Sequence, residues 1–165
     1  MFERLNTPEE VYEHKLGATM KMERKVLEIL DDSIEHSKDA KVKDALRAHR
    51  RESEAHLQNV EEVFGLFGWE PDDSACPAIE GLQKEAKAEV KKTDDSLVDA
   101  VILQGAVEVE HHEIGVYENL IINATAMGRD DVVERLRRNI DSEQSALEKV
   151  KSLQAEVASK AGQHA

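Results

Sequence analysis

Apolar residues recur along this chain at alternating spacings of four and three, the mark of one helical face, and they do so in four long blocks. The first block reads Tyr12, Leu16, Met20, Leu27, Leu30 and Ile34. Thr7-Pro8-Glu9-Glu10 stands before it with an N-cap residue, a first-turn proline and an acid at the capping-box position. A helix is therefore expected over about 8–36. After a polar turn at Ser37-Lys38-Asp39, the stripe Val42, Leu46, Val60, Val63 and Phe67 predicts a second helix, over about 40–67.

The texture then changes. Gly68, Pro71, Asp72-Asp73-Ser74 and Pro77 break the chain before a shorter, polar helix over about 78–92. Asp94-Asp95-Ser96 reads as the cap of a third long helix, over about 96–127, with Leu103, Ala106, Leu120 and Ala124 on its stripe. Gly128 ends it, and Asp130 reads as the cap of a fourth, over about 130–159, carrying Val133, Leu136, Ile140, Leu147 and Val150. A helix of thirty residues spans about 45 Å, and the connection between the second and third long helices is long enough to return along it. The expected fold is all-α: a single-domain four-helix bundle of two hairpins joined by a short crossover helix, the connectivity of ferritin-like bundles.

Composition agrees with long amphipathic helices. Of 165 residues, 4% are aromatic and 35% charged, with only three prolines. The net charge of −13 and the lack of a basic stripe argue against nucleic acid as a partner. No apolar run approaches the roughly 20 residues of a membrane span, and no signal-like segment opens the chain, so neither insertion nor secretion is expected. Cys76 is the single cysteine, which excludes an intramolecular disulfide and a four-cysteine iron site and suits a reducing cytoplasm.

Charge changes the picture where it falls on the apolar stripes. Glu23 interrupts the first, and His49, Glu52 and His56 occupy two turns of the second. Glu110 and Glu113 sit on the third and Glu143 on the fourth. No lysine or arginine shares these seams between Leu16 and Val150. Each uncompensated buried carboxylate costs several kcal/mol, and five would exceed the whole stability of a domain, about 5–15 kcal/mol. Two divalent cations would answer this, with mixed oxygen and nitrogen donors suiting iron, manganese or zinc better than calcium or magnesium. The alternative is a set of carboxylates that are partly exposed, or protonated and hydrogen-bonded to His49, His56 and Tyr117. His56 reads either as a ligand or as the residue that orients one. His111 and His112, beside the seam, read as surface or helix-contact residues, Tyr117 as core, and Cys76 as a packed thiol at a turn.

Ala48-His49-Arg50-Arg51-Glu52-Ser53-Glu54-Ala55-His56, Cys76-Pro77-Ala78-Ile79-Glu80-Gly81-Leu82, Val109-Glu110-His111-His112-Glu113-Ile114 and Ile140-Asp141-Ser142-Glu143-Gln144, in this order, resemble the YciF-type ferritin-like stress proteins. The resemblance covers most of the chain. It implies a rubrerythrin-like core, a homodimer, a link to stress responses, and Glu23, Glu52, Glu110, Glu113 and Glu143 as metal carboxylates. The wider ferritin pattern places a histidine three residues after the glutamate of the second and fourth helices, where this chain has Ala55 and Ala146. The expected function is a di-iron carboxylate protein that reacts with peroxide or dioxygen. A non-catalytic, dimeric metal-binding or scaffold protein is the alternative.

Overall fold

A computed structural model describes residues 4–162, with side chains described through Lys160. Five helices follow one another: α1 (Pro8–His36), α2 (Ala40–Phe67), α3 (Pro77–Lys92), α4 (Val98–Ala126) and α5 (Asp130–Gly162). Two antiparallel hairpins, α1/α2 and α4/α5, pack through α2 against α5 and α1 against α4, while α3 lies on α1 and α4. The result is an all-α, ferritin-like four-helix bundle with a crossover helix. No helix among the described residues is long and apolar enough to cross a membrane.

Local chemistry sets the boundaries. Thr7 accepts from the Glu10 amide at 3.1 Å and the Glu10 carboxylate reaches back to the Thr7 amide, a complete capping box. Asp39 caps α2 through the Lys41 and Val42 amides. Gly68 and Gly128 take positive φ, 74° and 68°, and end α2 and α4 in left-handed turns that a side chain would strain. The start of α4 differs from the sequence expectation. Asp94 closes its own turn by accepting from the Ser96 amide and hydroxyl, so the helix begins at Val98, and Leu97 caps it without a side-chain bond. Asp130 likewise lies inside the first turn of α5 rather than ahead of it.

The core runs the length of the bundle, from Tyr12, Leu16 and Phe64 at one end to Leu46, Ile102 and Leu153 towards the other. At the first end Trp69 stacks on Phe67 with ring centroids 4.2 Å apart, and Arg129 lies 4.0 Å over the same ring, fixing where the crossover leaves α2. At the far end the start of α4 ties the two hairpins together. Asp99, in the first turn of α4, accepts from the Ser37 hydroxyl at 2.6 Å and from the Lys38 and Asp39 amides at 3.0 and 2.9 Å. These three bonds hold the α1–α2 turn against α4.

Removing that carboxylate strands three donors, one of them on the buried Ser37. Asp99→Ala is expected to cost about 1–3 kcal/mol, a fall of roughly 3–10 °C in Tm, while Asp95→Ala, on the neighbouring exposed turn, leaves Tm within about 1 °C. Parallel thermal melts by circular dichroism check this.

Candidate metal centre

The charged residues of the seams converge in the middle of the bundle. Glu23, Glu113 and Glu143 are 0% exposed and Glu110 1%, with His49 and His56 at 7% and 3%. Each helix of the bundle supplies part of the set: α1 gives Glu23, α2 both histidines, α4 Glu110 and Glu113, and α5 Glu143. They form two overlapping groups. In one, His49, Glu110, Glu113 and Glu143 each place a donor atom within 4.8 Å of the others; in the second, Glu23, His56 and Glu143 do so. Glu143 is common to both.

The contacts inside the cluster leave most of its lone pairs free. His49 Nε2 lies 2.9 Å from Glu110 Oε1, and His56 Nδ1 lies 2.7 Å from Glu143 Oε1. The second contact is close yet lacks hydrogen-bond alignment, since His56 Nδ1 and both Glu143 oxygens have no hydrogen-bond partner. Both oxygens of Glu113, Glu23 Oε2 and Glu110 Oε2 are also buried without one. Buried polar atoms are rarely orphaned, and here they face one another. Donor atoms that approach without bonding, in a set of four carboxylates and two imidazoles, fit a pair of divalent cations: +4 balances −4, and each group has one histidine.

Glu23 is the exception, because it is held. The Tyr117 hydroxyl donates to Glu23 Oε1. The phenol oxygen in turn accepts from Asn139 Nδ2 at 2.9 Å, and the same amide group reaches the His56 carbonyl at 3.1 Å. Asn139 Oδ1 accepts from Asn59 at 2.7 Å. Three of the four bonding positions of the Asn139 amide are thus used. The chain Asn59–Asn139–Tyr117–Glu23 crosses from α2 through α5 and α4 to α1, so it orients a carboxylate that has no other support.

Asn139, fully buried, was not among the sequence candidates. Its signal was its place four residues before Glu143, on the same face of α5. Ser53, also fully buried, was missed in the same way. Glu52 is the candidate the structure sets apart. It belongs to neither group, is 36% exposed in its side chain, and lies with Oε1 3.5 Å from Lys149 Nζ and Oε2 3.7 Å from His49 Nδ1. On a helix at 100° per residue, His49, Ser53 and His56 face inward together, which turns Glu52 to the rim. His111 is exposed and His112 half-buried, neither in the groups. Cys76 is half-buried at the start of α3.

Without a cation the cluster must hold protons instead. Burial, then the neighbouring Glu143 charge, pushes Glu23 up to about 8. Burial likewise pushes Glu110 up to about 7, although His49 opposes it. Glu113 is driven well above the usual carboxylate range by burial and by Glu143, Glu23 and Glu110. Burial depresses His49, but the contacts to Glu110 and Glu52 outweigh it and raise the ring to about 10. Tyr117 is raised by burial and by Glu23, so it stays a neutral donor.

The chain matches a family model described as a domain of unknown function (DUF892) over residues 7–162. Protein YciF of Escherichia coli is 26% identical over 143 residues, covering 86% of both chains. Among solved structures, YcfI from Rhodopseudomonas palustris superposes with a TM-score of 0.87 at 31% identity, over 92% of this chain and 97% of its own. The Escherichia coli stress protein YciF gives 0.88 at 25% identity, over 94% and 99%. A ferritin-like, diiron-carboxylate protein from Bacillus anthracis gives 0.71 at 15% identity, over 91% and 99%, a likeness of fold.

The raised groups set a pH dependence for the metal-free chain. A carboxyl raised in the folded state stabilises fully below its unfolded value near 4.5 and loses that contribution as pH rises through its folded value; the raised histidine slopes the same way from 6.5 upward. In chelator, Tm is expected to fall by several degrees from pH 5.5 to 8.5. Scanning calorimetry across that range checks it, and a flat or rising Tm would contradict it.

Proposed function

The chain belongs to the DUF892 family of YciF-type ferritin-like proteins, and from that premise we propose that it is a di-metal carboxylate protein of the stress response. The observation that carries the reading is the pair Glu113 and Glu143, whose four buried oxygens have no hydrogen-bond partner and face two histidines. Iron is the metal proposed, with manganese or zinc as alternatives for the same oxygen and nitrogen donors. The diiron-carboxylate description of the Bacillus anthracis fold relative points the same way.

The residues divide the work. Glu143, common to the two groups, would serve both cations, with His49 and Glu110 available to hold one and Glu23 and His56 the other. Glu23 is fixed by Tyr117 and Asn139. Glu113 has no such restraint, so it is the carboxylate free to shift when a reactant enters. A bound iron pair supplies Lewis acidity and electrons towards peroxide or dioxygen. A homodimer and a cytoplasmic setting, which suits the free Cys76, belong to the same reading.

An anaerobic Fe(II) titration followed by peroxide tests the function. Two Fe(II) per chain, oxidised at least tenfold faster than Fe(II) in the same buffer, is the expected result. Stoichiometric metal that peroxide leaves untouched, with a large loss of Tm on chelation, would favour the non-catalytic metal-binding or scaffold role. Sedimentation analysis tests the dimer as twice the 18.5 kDa chain mass. Glu143→Gln is expected to remove both ions, because both groups use that side chain, whereas Glu23→Gln is expected to remove one; metal analysis after gel filtration reads the difference.

A further inference from the structure

Glu52 is the one carboxylate of the seams that stands outside both donor groups, and its surroundings suggest a task. A cavity of about 80 Å³ lies between α2, α4 and α5. His49 and Glu110 stand in its wall at the centre, and Glu52 and Lys149 also line it, 36% and 63% exposed in their side chains. The rest of the wall is apolar, with Ala45, Ala48, Ala106 and Ala146 set among leucine and valine side chains. Ala146 occupies the α5 position where the wider ferritin pattern has a histidine, and its methyl group leaves the space open. One water needs roughly 10–15 Å³ on this scale, so the space has room for a small ion with part of its water shell, with Glu52, His49 and Glu110 as its polar partners.

The His49 ring joins the two ends of this space. Its Nε2 lies 2.9 Å from Glu110 Oε1, at the centre. Its Nδ1, on a side chain nine-tenths buried, has no hydrogen-bond partner and lies 3.7 Å from Glu52 Oε2, towards solvent. Besides the His49 ring, Glu52 has Lys149 as a partner at 3.5 Å, an exposed and weak pairing. A carboxylate at the mouth, paired with a cation that can swing away, is what a partly hydrated divalent cation would meet first, and behind it stands the His49 ring, which gives up a proton when it takes up metal.

We propose that Glu52 is the entry station for divalent cations and not a resident ligand, with Lys149 as the displaceable countercharge that holds the site between arrivals. The cation exchanges the Lys149 ammonium for itself at Glu52 and passes along the polar edge of the cavity to the His49 and Glu110 end of the centre. This rests on the metal-binding reading above. It gives Glu52 an effect on the rate of loading and none on the final state.

Rapid mixing of chelator-stripped protein with Co(II), followed by visible absorption, tests it. The expected outcome for Glu52→Gln is loading slowed by roughly tenfold, with the same final stoichiometry and the same absorption bands as the unaltered chain. Lys149→Gln is expected to load severalfold faster, and added salt should shrink both differences. Both side chains are substantially exposed, and thermal melts confirm that the variants fold. A lower stoichiometry or altered bands in Glu52→Gln would make it a resident ligand and overturn the proposal, as would loading at the unaltered rate. An unaltered chain that takes up no Co(II) would instead overturn the metal-binding reading itself.

Discussion

Four carboxylates lie in the middle of this bundle where, among the described residues, no ammonium or guanidinium group reaches them, and the rest of the structure is arranged around that fact. Among the described residues, the cationic partners within 4.0 Å of Glu110 and Glu143 are histidines. Charges this deep are tolerated only when compensated. Two divalent cations balance four carboxylates with no remainder; in their absence the chain must take up protons instead. The helices converge on this layer from all sides, with apolar packing above it at Leu16 and Phe64 and below it at Leu30 and Leu46. That packing holds the layer together and excludes solvent, so compensation must come from cations or protons.

The centre is also asymmetric in a way that bears on its chemistry. Ferritin-like di-metal sites draw one glutamate from each of two helices and a glutamate with a histidine three residues on from each of the other two. Here the inventory is the same, four glutamates and two histidines, but both imidazoles come from α2, and α4 contributes two carboxylates. One histidine still falls to each group, because His49 and His56 are two turns apart on one face of α2. The carboxylates differ in freedom. Glu23 is tied through Tyr117 and Asn139 to the α2 backbone, and Glu113 is tied to nothing.

Much of this was legible in the chain because helical periodicity exposes its own exceptions. A glutamate among Met20 and Leu30, or between Ala106 and Tyr117, breaks a pattern that every neighbour obeys. Where the structure adds to the spacing, the reasons are physical. On α2 both His49-Glu52-His56 and His49-Ser53-His56 satisfy a spacing of three and four, and only packing against α5 decides that Ser53 points in and Glu52 out. Asn139 carries no charge, so it did not disturb the stripe that Leu136 and Ile140 define. Asp99 showed nothing locally, since its partners Ser37, Lys38 and Asp39 are about sixty residues away. Side chains that act across helices leave little trace in the spacing of one helix.

The central claim is that this polar layer exists to hold two cations with Glu143 between them. Anomalous diffraction from crystals of the full chain grown with Mn(II) or Zn(II) measures it most directly. Two anomalous peaks per chain are expected in the bundle interior, both contacting Glu143, one against His49 and the other against His56. Crystals that show metal only at surface carboxylates, with Glu113 and Glu143 hydrogen-bonded to each other as protonated acids, would contradict it.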